Sequence, residues 1–280
     1  MSSTMILSSN AAELEKAIRE RRSVRTFEDR EVWKEDVDKL QAFIQELDDP
    51  FDKKIEYRFL KAKEHKLTSP VLSGEDLYLA GKVKKGHLSD VAFGYSLEQI
   101  VLYAWEQRIG TVWIAGTLNR DAFEKAIELQ PDEVMPAVTP IGYTAKKMAL
   151  RETLMRKGVK ADTRLPFEKL FFKDGFDTPL TDDGSDLCKA LEMVRLAPSA
   201  VNKQPWRAVD SGDAVHFYEK KDKGYDHGED GDLQKVDVGI GLAHFVLMTK
   251  ALGLNGSLKE ADPQIPLPAD TEYIITWTKA

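Results

Sequence analysis

The chain has 280 residues, 42% of them apolar and 31% charged, with a formal net charge of −7. That balance describes a globular chain of one large or two ordinary domains, and the acidic charge argues against general affinity for nucleic acid or for anionic membrane. A single cysteine, Cys188, excludes an intramolecular disulfide framework and fits a reducing cytoplasm.

Met1 to Asn10 has neither a basic region nor a long apolar core, so no signal peptide is expected there. Ala11 to Glu20 is expected to be a helix, capped by Ser9 or Asn10, with Leu14, Ala17 and Ile18 turned inward. It runs into Arg21-Arg22-Ser23-Val24-Arg25-Thr26-Phe27, a cluster of guanidinium forks beside a hydroxyl. By itself that cluster is equally an ordinary solvated patch. Glu35 to Leu47 forms a second helical pattern, and Ile55 to Ala62 and Asp76 to Val83 form strand patterns. Ser89 to Arg108 is a long helix with Leu97, Ile100, Val101 and Ala104 as its stripe, and Gly110 ends it. Thr111 to Gly116 then leads into a helix around Asn119 to Leu129. The small residues Ala115 and Gly116 allow close approach of backbone to a ligand, or simply a tight turn. Ala137 to Tyr143 is a further strand.

Lys146 to Lys173 holds nine Lys or Arg against three acids, a basic arm in an acidic chain and the expected boundary between two halves, 1–160 and 161–280. Helix 187–197 follows, with Leu187, Ala190, Leu191, Val194 and Ala197 on one face. Two prolines then stop it, and Ala197 to Trp206 forms a rigid polar elbow leading to the strand Arg207 to Val209. The elbow offers backbone N–H groups, the Ser199 hydroxyl and the carboxamides of Asn202 and Gln204, a donor and acceptor set suited to a flat heterocycle with a sugar-alcohol chain. Lys220 to Asp232 is expected to be a loop. The run from Gly239 to Leu254 is a helix interrupted by His244 and Lys250 and too short to span a bilayer.

Helix 37–47 matches helix 187–197 at an offset of 150, and helix 94–110 matches 237–253 at an offset of 143, with Leu97 over Ile240. Their common order points to a duplicated unit. The five histidines have no zinc-ligand spacing, so no metal site is expected, and Cys188 is expected to be a packed thiol.

The string Pro198-Ser-Ala-Val-Asn-Lys-Gln-Pro-Trp206 closely resembles the PSAxNxQPW signature of the flavin-dependent nitroreductase family. Arg21 to Phe27 resembles the same family's RRSxRxF signature. The resemblance implies an FMN site, with Arg21, Arg22, Ser23 and Arg25 on phosphate and ribityl, and Pro198, Ser199, Ala200, Asn202 and Gln204 on ring and ribityl. Ala115 and Gly116 would lie near the reactive edge, and Lys147 and Arg164 would reach the phosphate. In that family a homodimer shares each site between subunits. Here the first half has the arginines but Asp48 to Asp52 where its elbow belongs; the second has the elbow but Leu170 to Phe176 where its arginines belong. Complementary loss implies a single-chain pseudo-dimer with one composite site.

The fold implied is α+β, internally duplicated, with mostly antiparallel sheets flanked by helices and two long helices in the centre. The function implied is an FMN-dependent NAD(P)H oxidoreductase reducing a nitroaromatic, quinone or similar small acceptor, with no catalytic side chain, acting in the cytoplasm as a monomer that mimics a homodimer. A flavin-binding or sensing protein without efficient turnover and an interaction protein that has lost flavin remain as alternatives.

Overall fold

A computed structural model describes residues 10–146, 163–225 and 231–280. The first stretch carries α1 (Ala11–Glu20), α2 (Lys34–Gln45), β1 (Ile55–Lys61), α3 (Ala62–His65), β2 (Leu77–Lys84), α4 (Ser89–Glu106), α5 (Arg120–Ala126), β3 (Glu133–Val134) and β4 (Val138–Ile141). The remainder carries β5 (Phe171–Lys173), α6 (Asp186–Leu196), β6 (Trp206–Asp210), β7 (Ala214–Lys220), α7 (Leu233–Ala251), β8 (Gly256–Lys259) and β9 (Thr271–Lys279). The expected boundary near residue 160 lies outside the described residues.

Two sheets result, and the fold is α+β. In the first, β2 is central, antiparallel to β1 on one side and to β3 and β4 on the other. The second has the order β5-β6-β7-β9-β8 and is antiparallel except for the short parallel pair β5–β6. Strands β7, β8 and β9 are absent from the sequence expectation. Charge and prolines punctuate residues 220–270, and β7 is buried on both faces, so its sequence lacks a clean alternation of apolar and polar residues.

The helices begin where capping chemistry starts them. Asn10 Oδ1 accepts from Ala12 N–H at 2.9 Å, which settles the choice of α1 cap among the described residues, and Ser185 Oγ accepts from Cys188 N–H at 3.2 Å. Asp232 Oδ1 accepts from Gln234 N–H at 2.9 Å, starting α7 six residues earlier than its apolar run indicates.

Both long helices are apolar on nearly every side, the pattern of a helix enclosed by protein, and they pack against each other in the core. Their crossing is unusually close. A Cβ placed on Gly94 would lie 2.0 Å from the Val236 carbonyl oxygen, and one on Gly239 would lie 2.1 Å from that of Val91. The contact is reciprocal: Gly94 corresponds to Gly239 and Val91 to Val236, an offset of 145 in both cases. The apolar stripes alone match at 143, two residues away from this spacing. Stripes on helices that are apolar all round match at several shifts, whereas only a residue without Cβ fits the crossing.

Gly239→Ala drives a methyl group into backbone that has no room to retreat, and should lower stability by about 3 kcal/mol. Urea unfolding followed by circular dichroism checks this as a fall in midpoint.

Candidate active site

Beyond α1 the chain stays extended. Val24 N–H donates to Thr111 O at 2.9 Å and Phe27 N–H to Ser73 O at 2.8 Å, while Val24 and Phe27 are buried as anchors. Arg21, Arg22, Ser23 and Arg25 are thereby held in the wall of a cavity of about 480 Å³. The opposing part of the wall is the elbow after α6, supplying Pro198, Ser199, Ala200, Val201 and Asn202. Segments more than 170 residues apart in sequence thus face one space.

The elbow is a strained turn tied down at many points. Val201, Asn202 and Gln204 have positive φ of 49°, 58° and 54°, conformations costing about 1–3 kcal/mol each for residues other than glycine. Ser199 Oγ accepts from Gln204 N–H at 2.9 Å, and Asn202 Nδ2 donates to Thr163 O at 3.0 Å. Arg164 Nη2 donates to Leu196 O at 3.0 Å. Both carboxylate oxygens of Asp237 lie 3.0 Å from Ala200 N.

Of the residues singled out from sequence, Arg21, Arg22, Ser23, Arg25, Ala115, Arg164, Pro198, Ser199, Ala200 and Asn202 line the cavity. Gln204 does not. It is 3% exposed, and its Oε1 accepts from Leu165 N–H at 2.8 Å while its Nε2 donates to Asn202 O at 3.2 Å, so it braces the elbow from behind. Gly116 is exposed and lies outside the wall, with open space where a Cβ would be, so no close approach of backbone requires glycine there. Lys147 lies outside the described residues. The helix cysteine, Cys188, is buried, and burial pushes its thiol above the ordinary range, the opposite of nucleophile activation.

Other lining residues escaped the sequence reading. Trp113 from the loop after α4, and Leu233, Val236, Asp237 and Ile240 from α7, also form the wall. Their signal was available: Asp237 is a lone acid in an apolar helical run. Glu98 and His244 have the same signature, and they meet beneath the cavity. Glu98 is fully buried and accepts from Trp113 Nε1 at 2.8 Å, faces His244 Nε2 at 2.9 Å and pairs with Arg21 Nε at 3.8 Å. Because a carbonyl only accepts, the 3.0 Å contact to Met193 O places a hydrogen on His244 Nδ1. This network joins two lining side chains, Arg21 and Trp113, to both central helices.

Behind the elbow lies a buried acidic group. Glu219 of β7 is 1% exposed, and burial, with Asp232 nearby, pushes its carboxyl up to about 7. Asp237 is pushed well above the usual carboxylate range, first by burial and then by the neighbouring Asp232 and Glu219.

An α+β fold with a cavity shared between an arginine segment and a proline-bounded elbow defines a protein of nitroreductase type. The profile of the family described as "Putative TM nitroreductase" matches residues 13–249, and the chain belongs to that family. The solved structure of a "putative nitroreductase" from Thermotoga maritima is similar over 99% of both chains, at 21% identity and a TM-score of 0.60. A nitroreductase family protein from Clostridium difficile 630 aligns with 55% of this chain and 94% of its own, at 18% identity and a TM-score of 0.43. An FMN-dependent nitroreductase from Clostridium difficile R20291 aligns with 50% of this chain and 94% of its own, at 19% identity and a TM-score of 0.39. No curated protein matches. Among the described residues no helix is long and apolar enough to cross a membrane.

Glu219 gives a test of the acidic group. With its folded value near 7 and its ordinary value at 4.5, the folded state holds a proton that the unfolded state releases, so its contribution to stability falls as pH rises through that window. Glu219→Gln should therefore be more stable than wild type at pH 8, by about 2–3 kcal/mol, and gain nothing at pH 4. Thermal melts of both proteins at the two pH values decide it.

Proposed function

We propose that this chain is an FMN-dependent NAD(P)H oxidoreductase of nitroreductase type, acting in the cytoplasm on a nitroaromatic, quinone or similar small acceptor. One observation carries the reading: the arginine segment and the elbow, far apart in sequence, line a single cavity. Its volume is within the range of small-molecule sites. The donor set fits FMN. Arg21, Arg22 and Arg25 supply permanent charge, and Ser23 a hydroxyl, for a phosphate, while Ser199, Ala200 and Asn202 present short polar and backbone groups for a ribityl chain or ring edge.

When bound in this cavity, FMN would supply the two-electron redox chemistry between a nicotinamide nucleotide and the acceptor. The protein's part is to bind and orient. Glu98 holds Arg21 and Trp113 through its charge and its accepted hydrogen bond, so both enter the cavity wall already placed. Arg164 is tied to the Leu196 carbonyl and so steadies the elbow. Leu233, Val236 and Ile240 give the α7 side of the cavity an apolar surface that suits a flat aromatic acceptor and excludes water.

We further propose that residues 1–160 and 161–280 are two halves of a pseudo-dimer with one working site in a monomer. The reciprocal glycine crossing supports this. So does the counterpart of the cavity wall: at an offset of 145, Ile240 corresponds to Tyr95, which is buried and packed edge-on by Phe51 with ring centroids 5.4 Å apart. Aromatic side chains fill that position in the first half.

Arg25→Ala should weaken FMN binding by about 1.5–3 kcal/mol and riboflavin, which lacks the phosphate, far less. Arg25 is the cleaner site, because removing Arg21 would also strip Glu98 of its ion pair. Equal losses for the two ligands in fluorescence titrations would mean that the arginine acts structurally.

Calorimetry with FMN, paired with light scattering, should give one flavin per 280-residue chain on a monomer. Two flavins per chain, or binding by a dimer alone, contradicts the composite site. Anaerobic NADH or NADPH should then bleach the bound flavin; flavin that neither reduces favours a sensing role.

A further inference from the structure

Asp237 occupies an unusual position for an acid. It shares one face of α7 with Leu233, Val236 and Ile240, at helical spacings of three and four, and all four line the cavity. Asp237 as a whole is 3% exposed. Both oxygens converge on a single donor, Ala200 N–H, at 3.0 Å each, so one hydrogen is shared where an ionised group in such a place ordinarily has several. The charged groups that act on it are Glu219 from β7 and Asp232 ahead of α7, both acids. Lys221, Lys235 and Glu272 act on Glu219 in turn, and Arg21, Arg22, Arg25 and Arg164 line the same cavity.

We propose that Asp237 is the catalytic acid of this cavity, donating a hydrogen bond and then a proton to the oxygen of an uncharged carbonyl or nitro acceptor. This rests on the function proposed above. The acceptor takes hydride, with its electron pair, from reduced flavin. The Asp237 O–H bond breaks, its proton forms the new O–H bond on the acceptor, and the bonding pair remains on the carboxylate. Ala200 N–H faces both oxygens of that carboxylate and stabilises the charge, and solvent returns the proton once the product has left the cavity. Burial and the two neighbouring acids favour the protonated starting form, which can donate. Specificity follows from the same wall: apolar side chains on α7 favour a neutral aromatic body, and the one donor among them selects an oxygen acceptor.

Asp237→Asn is the informative variant. Its amide oxygen can still accept from Ala200 N–H, and its NH₂ can still donate a hydrogen bond but cannot transfer a proton. With the FMN-loaded protein photoreduced anaerobically, reoxidation by benzoquinone should be slower in D237N by about tenfold or more. Reoxidation by ferricyanide, which takes electrons without protons, should be unchanged. The wild-type quinone rate should fall as pH rises through the titration of the acid; that fall should vanish in D237N and persist in Glu219→Gln. A readout independent of turnover is infrared spectroscopy of the flavin-free protein at pH 7, where the protonated-carboxyl C=O absorption, to which Glu219 also contributes, should be weaker in D237N than in wild type.

Equal quinone rates in D237N and wild type, equal slowing with both oxidants, a pH dependence removed only by E219Q, or an unaltered carboxyl band would each overturn the acid role while leaving the flavin function in place. A wild-type protein that takes up no flavin would overturn both.

Discussion

Gly94 and Gly239 let α4 and α7 approach until the Cα of each helix faces a carbonyl of the other, and the site depends on this contact. A side chain at either position would separate the helices. Val236, whose carbonyl meets Gly94, adjoins Asp237 and lies one turn from Ile240, and all three line the cavity. The crossing therefore sets the depth at which the α7 wall stands relative to the arginine segment that α1 delivers. Close packing of this kind transmits position faithfully because protein interiors have little free volume to absorb a shift.

A second constraint is electrostatic. Glu98 is completely enclosed, and such a charge is tolerable only when its oxygens are occupied. Trp113 and His244 contact those oxygens directly, and Arg21 supplies opposite charge at 3.8 Å. Glu98 sits on α4, and its partners come from the loop after it, the end of α1 and α7, so satisfying one carboxylate aligns four segments. The elbow is governed by a related logic. Its three positive-φ residues store strain, and the bonds from Leu165, Thr163, Arg164 and Asp237 are what hold the turn in that shape.

Much of the fold was legible in the chain. The α1 helix lies where its apolar spacing and its cap place it, at Ala11–Glu20, because the signals are local: a carboxamide before the first turn and inward residues at three- and four-residue spacing. The long helices were legible as helices, but their register was not. Apolar residues on every side carry no phase, and the crossing is set by two glycines that only the packed helices explain. Strand β7 was missed for a related reason, since burial on both faces erases alternation.

The sequence by itself determined the chemistry available: an arginine segment, a proline-bounded elbow and their residue types, all carried by local spacing. Tertiary structure decided which of these groups share a cavity. It turned Gln204 inward to satisfy Leu165, left Gly116 in solvent, and brought in Asp237, Trp113 and Ile240, which no local pattern marked as belonging together. The physical reason is that a side chain's type is inherited from the chain, whereas its exposure, charge state and neighbours arise only when distant backbone segments pack and each buried polar group must find a partner.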